Sequence, residues 1–148
     1  MRIHNTLHDS IVDGPGLRYV VFTQGCPHGC PGCHNPETHD PENGRDVPVE
    51  EIIKDMLKNP LTDGLTLTGG EPFLQPKDCA ALARAARAAG LNVWCYSGWT
   101  LEELSAMPEA QVLLRELDVL VDGPYLQAER SLTLPWRGSE NQRILPLR

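Results

Sequence analysis

Short β-branched and aromatic runs alternate with helix-forming stretches along most of this chain, and that alternation constrains the fold more than any other feature. "RYVVFTQ" (residues 18–24) follows the turn signal "DGPG" and predicts a strand. "PVEEIIKDMLKN" places Val49, Ile52, Ile53, Met56 and Leu57 on one helical stripe, with Pro48 suited to the first helical position. "GLTLTGG" predicts a second strand ending in two glycines. The Ala-rich "PKDCAALARAARAAG" predicts a helix opened by Pro76 and closed by Gly90. The strand "LNVWCYS" follows, then "TLEELSAM" with a capping box of Thr100 and Glu103, a helical "PEAQVLLREL", the strand "LDVLVDG", a long loop, and a last strand-like "RILPL". Alternation of this kind means a parallel sheet covered by helices. Only four or five strands are legible in the 148 residues, too few for an eight-stranded barrel of about 250 residues. The expectation is an α/β fold, an open partial (β/α) barrel with parallel strands, built as a single domain over residues 1–148.

In such folds chemistry gathers at the C-terminal ends of the strands. Two signals meet there. The first strand runs directly into "GCPHGCPGCHNP" (residues 25–36), which carries three of the chain's five cysteines. The next clear strand ends in Gly69-Gly70-Glu71-Pro72. Cys26, Cys30 and Cys33 stand in the spacing C-x3-C-x2-C, where a dithiol redox centre needs only C-x-x-C. Structural zinc takes four closed ligands, and His34 would complete such a set only by crowding all four into nine residues. An iron–sulfur cubane normally takes four thiolates, so three would leave one iron open to an exogenous ligand. The glycines and prolines suit a loop that wraps a cluster and turns backbone N–H groups toward its sulfides. The spacing favours a cluster over zinc. Gly69-Gly70, taken alone, fits an ordinary strand-to-loop turn equally well.

Composition narrows the remaining classes. A content of 41% apolar and 22% charged residues is ordinary for a globular protein. The net charge of −7 and the scattered 13 Lys and Arg argue against a nucleic-acid partner. No apolar run is long enough to span a membrane, and "MRIHNTLHDS" lacks the apolar core of a signal peptide. An odd number of crowded cysteines does not suggest a secreted disulfide framework, so a reducing cytoplasmic setting is expected.

With the C-x3-C-x2-C loop after the first strand and "GGEP" after a later one, the chain resembles the radical S-adenosylmethionine superfamily. More narrowly, "DGPGLRYVVFTQGCPHGCPGCHNPETH", "LTGGEP", "LVDGPY" and "WRGSENQRI" are similar, in the same order, to the glycyl-radical activases that serve anaerobic ribonucleoside-triphosphate reductase. "DGPG" and "CHN" are shared with activases of the pyruvate formate-lyase type; "WRGSENQRI" points to the reductase activators. This resemblance implies an oxidoreductase in which Cys26, Cys30 and Cys33 hold three irons of a [4Fe–4S] cluster. The fourth iron would chelate S-adenosylmethionine, whose reductive cleavage yields methionine and a 5′-deoxyadenosyl radical that takes a hydrogen atom from a glycine of the reductase. It further implies that Gly69 and Gly70 let backbone approach the methionyl ammonium, and that Glu71 adds a charge-assisted contact to it. Gly32, Cys33 and His34 would lie along the cofactor, Gly32 and His34 against adenine or ribose. Many superfamily members carry an aromatic residue where this chain has Gly32, so stacking would have to come from His34 or elsewhere. With no second cysteine group, the electron would come from reduced flavodoxin or a similar donor. Other readings are a pyruvate formate-lyase type of activase, a small-molecule radical enzyme such as a deazaguanine carboxylate synthase, a ferredoxin, and a zinc-binding interaction domain.

The other polar residues divide into bland and open cases. Cys79 and Cys95 are expected as small buried hydrophobes, and Asp13 as a turn former. His28 reads as a loop-surface group or one standing behind the ligands; His4, His8 and His39 have no constellation around them. Asp122, at a strand end, is either a cofactor-assisting group or a solvated carboxylate. Trp136, Arg137, Ser139, Asn141 and Gln142 form a donor-rich segment expected at the mouth of the barrel, touching cofactor or partner.

Overall fold

The computed structural model describes residues 1–131 and 133–148. Seven strands form one mixed sheet: β1 (Arg2–Ser10), β2 (Arg18–Thr23), β3 (Arg45–Asp46), β4 (Gly64–Gly69), β5 (Asn92–Tyr96), β6 (Val119–Asp122) and β7 (Arg143–Pro146). Their order is β3-β1-β2-β4-β5-β6-β7. The four central strands, β2, β4, β5 and β6, are parallel. Both edges are antiparallel: β1 pairs with β2 and β3, and β7 with β6. The parallel segments are those expected from the sequence, whereas the edges are not parallel. A hairpin reaches β1 through the "DGPG" turn, and the long loop after β6 returns β7 beside it without a crossover helix.

Among the described residues the α-helices are α1 (Val49–Met56), α2 (Pro76–Ala88), α3 (Leu101–Ser105) and α4 (Gln111–Leu114). Pro48 sits one residue before α1, and Pro76 opens α2 as expected. The capping box of Thr100 and Glu103 forms in full at α3. Among the described residues no helix is long and apolar enough to cross a membrane.

Side chains of a strand point alternately to its two faces. Tyr19, Val21, Leu65, Leu67, Val93, Cys95 and Leu120 project to one face and pack with Ile52, Met56, Cys79, Leu82, Leu104 and Leu113 from all four helices. Each fully buried leucine there contributes about 1.5–3 kcal/mol. The alternate residues, among them Arg18, Val20, Thr66, Trp94 and Val121, turn to the other face and are buried as well. Two loops, not helices, cover that second face. The β1–β2 loop lies on β4, where the Thr66 hydroxyl donates to the Asp13 carbonyl at 2.8 Å. The loop after β6 brings the Trp136 ring edge-on to Trp94, centroids 5.2 Å apart.

Arg18 pins the first of these loops. It is fully buried, donating to Thr66 Oγ1 at 2.7 Å, Pro15 O at 2.8 Å and Leu65 O at 2.9 Å, with its guanidinium 5.7 Å from the Trp94 ring centre. Burial lowers its pKa to about 10. Two glycines make room for it. A Cβ on Gly14 would stand 2.8 Å from Arg18 Cδ, and one on Gly64 would overlap the guanidinium itself. Gly64→Ala is therefore expected to cost about 1–3 kcal/mol by overpacking. Urea unfolding should show a lower midpoint at unchanged slope; an unchanged midpoint would mean that Arg18 is not locked in this position.

Candidate active site

The site forms where β2 and β4 end side by side. Their parallel register sets Thr23 opposite Gly69, so the cysteine loop and the double glycine emerge as neighbours. Gly69 has φ +96°, and a Cβ there would lie 2.6 Å from the Thr23 nitrogen. A Cβ on Gly70 would press into the Gly25 carbonyl. The two loops are then stitched together, Gly70 N–H donating to Thr23 O at 2.9 Å and Glu71 N–H to Gly25 O at 2.8 Å, while Gly25 N–H closes the base of the cysteine loop on Thr38 O at 2.7 Å. The double glycine is thus a close backbone approach and not merely a turn.

A cavity of about 400 Å³ opens at these strand ends, on the face without helices. Cys26, Cys30 and Cys33 all line it, half-buried and with free thiols. His34, Gly69 and Gly70 line it too, with Thr68 and Tyr96 from the sheet, Tyr125 from the loop after β6, and Trp136, Arg137 and Gln142. Burial pushes the Cys26 thiol up, while the His28 backbone N–H acts the other way. The Cys33 sulfur accepts the Asn35 N–H at 3.4 Å. Among the described residues no three His, Cys, Asp or Glu side chains converge closely enough for a single metal ion. A cubane takes one thiolate per iron and asks for no such convergence. The residues fit it: three thiols line one open cavity, and a buried donor with no partner among the described residues, Arg137 Nε, belongs to a residue of the same wall.

Two expected cofactor residues are placed differently. Glu71 is fully buried and is not part of the cavity wall. Its carboxylate accepts from His28 Nε2 at 2.5 Å, Ser97 Oγ at 2.9 and 3.0 Å, the Gly98 N–H at 2.8 Å and the Phe73 N–H at 3.1 Å. With four protein donors it is not free to meet an ammonium group. Gly32 turns its α-carbon toward Gln127, where a Cβ would lie 2.8 Å from the Gln127 Cδ, and it is absent from the wall. The aromatic surface beside His34 is instead Tyr125, ring centroids 4.9 Å apart and tilted by 48°.

Other residues resolve plainly. Asp122 is neither solvated nor in the cavity: it is buried, accepts Leu101 N–H at 2.7 Å and pairs with Arg143, tying α3 and β7 to the end of β6. His8 is not isolated, since its Nε2 lies 3.0 Å from Asp55 Oδ2, which also accepts the Tyr19 hydroxyl at 2.7 Å. Cys79 and Cys95 are fully buried in the core, and burial raises both thiols. In the C-terminal segment, Trp136, Arg137 and Gln142 face the cavity. Ser139 and Asn141 hold the loop behind them: Ser139 Oγ donates to Asn141 Oδ1 at 2.6 Å, and Asn141 Nδ2 to Pro124 O at 2.7 Å. Trp136 has φ +60°, a left-handed conformation costing a large side chain about 1–2 kcal/mol, held by packing on Trp94.

Residues 12–145 match the family model of the 4Fe-4S single cluster domain. The chain is 38% identical to the anaerobic ribonucleoside-triphosphate reductase-activating protein of Escherichia coli, with all of both chains covered. It is 37% identical to the protein of the same name from Salmonella typhi, again over the full length of both. For the Vibrio cholerae protein of that name the identity is 35%, covering 97% of each chain.

The geometry separates the cysteines into two groups, and iron binding should follow that division. After anaerobic reconstitution, Cys26→Ser, Cys30→Ser and Cys33→Ser should each lose most of the iron and the visible absorbance. Cys79→Ala and Cys95→Ala should retain both. Equal loss in all five variants would dissociate the cavity from the cluster.

Proposed function

Since the chain belongs to the 4Fe-4S single cluster domain family and to the anaerobic ribonucleoside-triphosphate reductase-activating proteins, we propose that it installs the glycyl radical on such a reductase, using S-adenosylmethionine. The observation that carries this reading is the meeting of three free thiols and the Gly69-Gly70 backbone on one cavity at the C-terminal edge of the sheet. Once bound and reduced, a [4Fe–4S] cluster supplies the electron that cleaves S-adenosylmethionine to methionine and a 5′-deoxyadenosyl radical.

The chain's own part is to bind, orient and shield. Cys26, Cys30 and Cys33 would hold three irons. Gly69 and Gly70 present bare backbone, with no side chain to keep the methionyl end of the cosubstrate away. His34 and Tyr125 offer a pair of rings on the cavity wall for the adenosyl end. Arg137 contributes a cation to the wall, its Nη1 tied to Gln142 O at 3.1 Å and its Nε without a partner among the described residues. The β1–β2 loop and residues 123–131 and 133–142 overlie the sheet, through the Thr66 hydroxyl on Asp13 O and the Trp136 ring on Trp94. We read the sheet, helices outside and cavity inside, as the wall of an open partial (β/α) barrel of the radical S-adenosylmethionine type. The open side would admit a glycine-bearing segment of the reductase. Cys79 and Cys95 are sealed in the core, so the electron enters at the cysteine loop, from reduced flavodoxin or a similar carrier, in a reducing cytoplasm.

The reading is tested by anaerobic reconstitution, reduction and addition of S-adenosylmethionine with and without reductase. The expected products are 5′-deoxyadenosine and a glycyl radical signal that appears with the reductase and not with pyruvate formate-lyase. A colourless, zinc-loaded chain would overturn it. Arg137→Ala should lower the glycyl radical yield at least about tenfold, as removal of a positioning group does, while leaving the cluster absorbance in place. Bleaching of the cluster by that substitution would move Arg137 from substrate positioning to cluster support.

A further inference from the structure

The cysteine loop is held at its ends but not by its own backbone between the first two cysteines. Gly25 and Cys26 donate to Thr38 O and His39 O, and Cys33 N–H folds back onto Cys30 O. Among the described residues the backbone of residues 27–29 makes no hydrogen bond to the sheet. One side chain in that stretch reaches it. The His28 side chain is 13% exposed and places Nε2 2.5 Å from Glu71 Oε1. Its slot is built on three sides. Glu71 forms the floor, the Trp99 indole stands edge-on with ring centroids 4.7 Å apart, and Gly98 leaves the third side open, since a Cβ there would overlap the imidazole.

The Glu71 carboxylate is itself immobile. The Ser97 hydroxyl and the Gly98 and Phe73 amides hold it at zero exposure, anchoring it to the ends of β4 and β5. A carboxylate so buried is costly to leave short of a donor, so the imidazole is held as firmly as it holds.

We propose that His28 is a positioning residue for the cluster ligands: it clasps the Cys26–Cys30 segment onto Glu71, and Glu71 acts on the site through this histidine instead of contacting the cosubstrate. The inference rests on reading Cys26, Cys30 and Cys33 as cluster ligands. Outer partners of metal ligands typically change metal affinity by about 10–100-fold when removed.

The test uses the full chain, anaerobically reconstituted, as wild type, His28→Ala, His28→Gln, Glu71→Gln and the His28→Ala/Glu71→Gln double variant. Iron loss to a chelator, the electron paramagnetic resonance spectrum of the reduced cluster and the affinity for S-adenosylmethionine are measured. His28→Ala should release iron about tenfold faster or more, with altered g values. His28→Gln, which keeps a donor for the carboxylate, should restore much of the retention. Adding Glu71→Gln to His28→Ala should worsen neither readout, and that double variant removes the unpaired buried charge that could unfold the single one. Wild-type iron retention and spectrum in His28→Ala would overturn the proposal. So would a loss of S-adenosylmethionine affinity from Glu71→Gln that is equally large in the His28→Ala background, since the carboxylate would then touch the cosubstrate. A wild-type chain that takes up no iron would overturn the cluster reading and this inference with it.

Discussion

The site depends on one backbone contact, the approach of Gly70 to the Gly25 carbonyl, made possible by the parallel register of β2 and β4. Two chain reversals leave the sheet at the same level, and each satisfies amides or carbonyls of the other. A side chain at either glycine of the pair would push the cysteine loop off the strand ends. The cavity, the orientation of the three thiols and the burial of Glu71 all follow from that close approach.

Three buried ionic groups sit at the sheet, and each has a distinct solution. Glu71 collects four donors, one of them from the cysteine loop. Asp122 is matched by Arg143 and a helix N-terminal amide. Among the described residues Arg18 has no carboxylate within ion-pair distance, and it relies on two carbonyls, a hydroxyl and the Trp94 ring. In each case the group joins segments far apart in sequence.

Much of this was legible in the sequence because it was local. The strands over Arg18–Thr23, Gly64–Gly69, Asn92–Tyr96 and Val119–Asp122 are nearly continuous apolar or β-branched runs, as strands buried on both faces must be. Cys26, Cys30 and Cys33 declared themselves by spacing, and Thr100 with Glu103 by the capping pattern. What escaped was non-local or disguised. The strand Arg2–Ser10 is polar, half-exposed and broken by two register shifts, so it carries no clean alternation. Arg18 and Asp122 are charged residues at strand ends, read as strand start and as cofactor-assisting or solvated carboxylate, yet tertiary partners bury both. The pairing of His28 with Glu71 spans 43 residues, and no spacing rule connects them. The small residues Gly98 and Gly64 were the available clue, since each is the imprint of a bulky neighbour, but only the fold names that neighbour.

All four helices pack on one side of the sheet, and the other side is roofed by loops. This asymmetry divides the evolutionary freedom of the molecule. The helical side, filled by side chains with no exposure, tolerates exchanges that conserve volume and little else. The roof formed by residues 123–131 and 133–142 is mostly irregular and tied mainly to itself, so it can lengthen, shorten or change chemistry with little disturbance of the scaffold. Divergence toward a new macromolecular client would therefore begin in that roof, while the grip on the cysteine loop stayed unchanged beneath it.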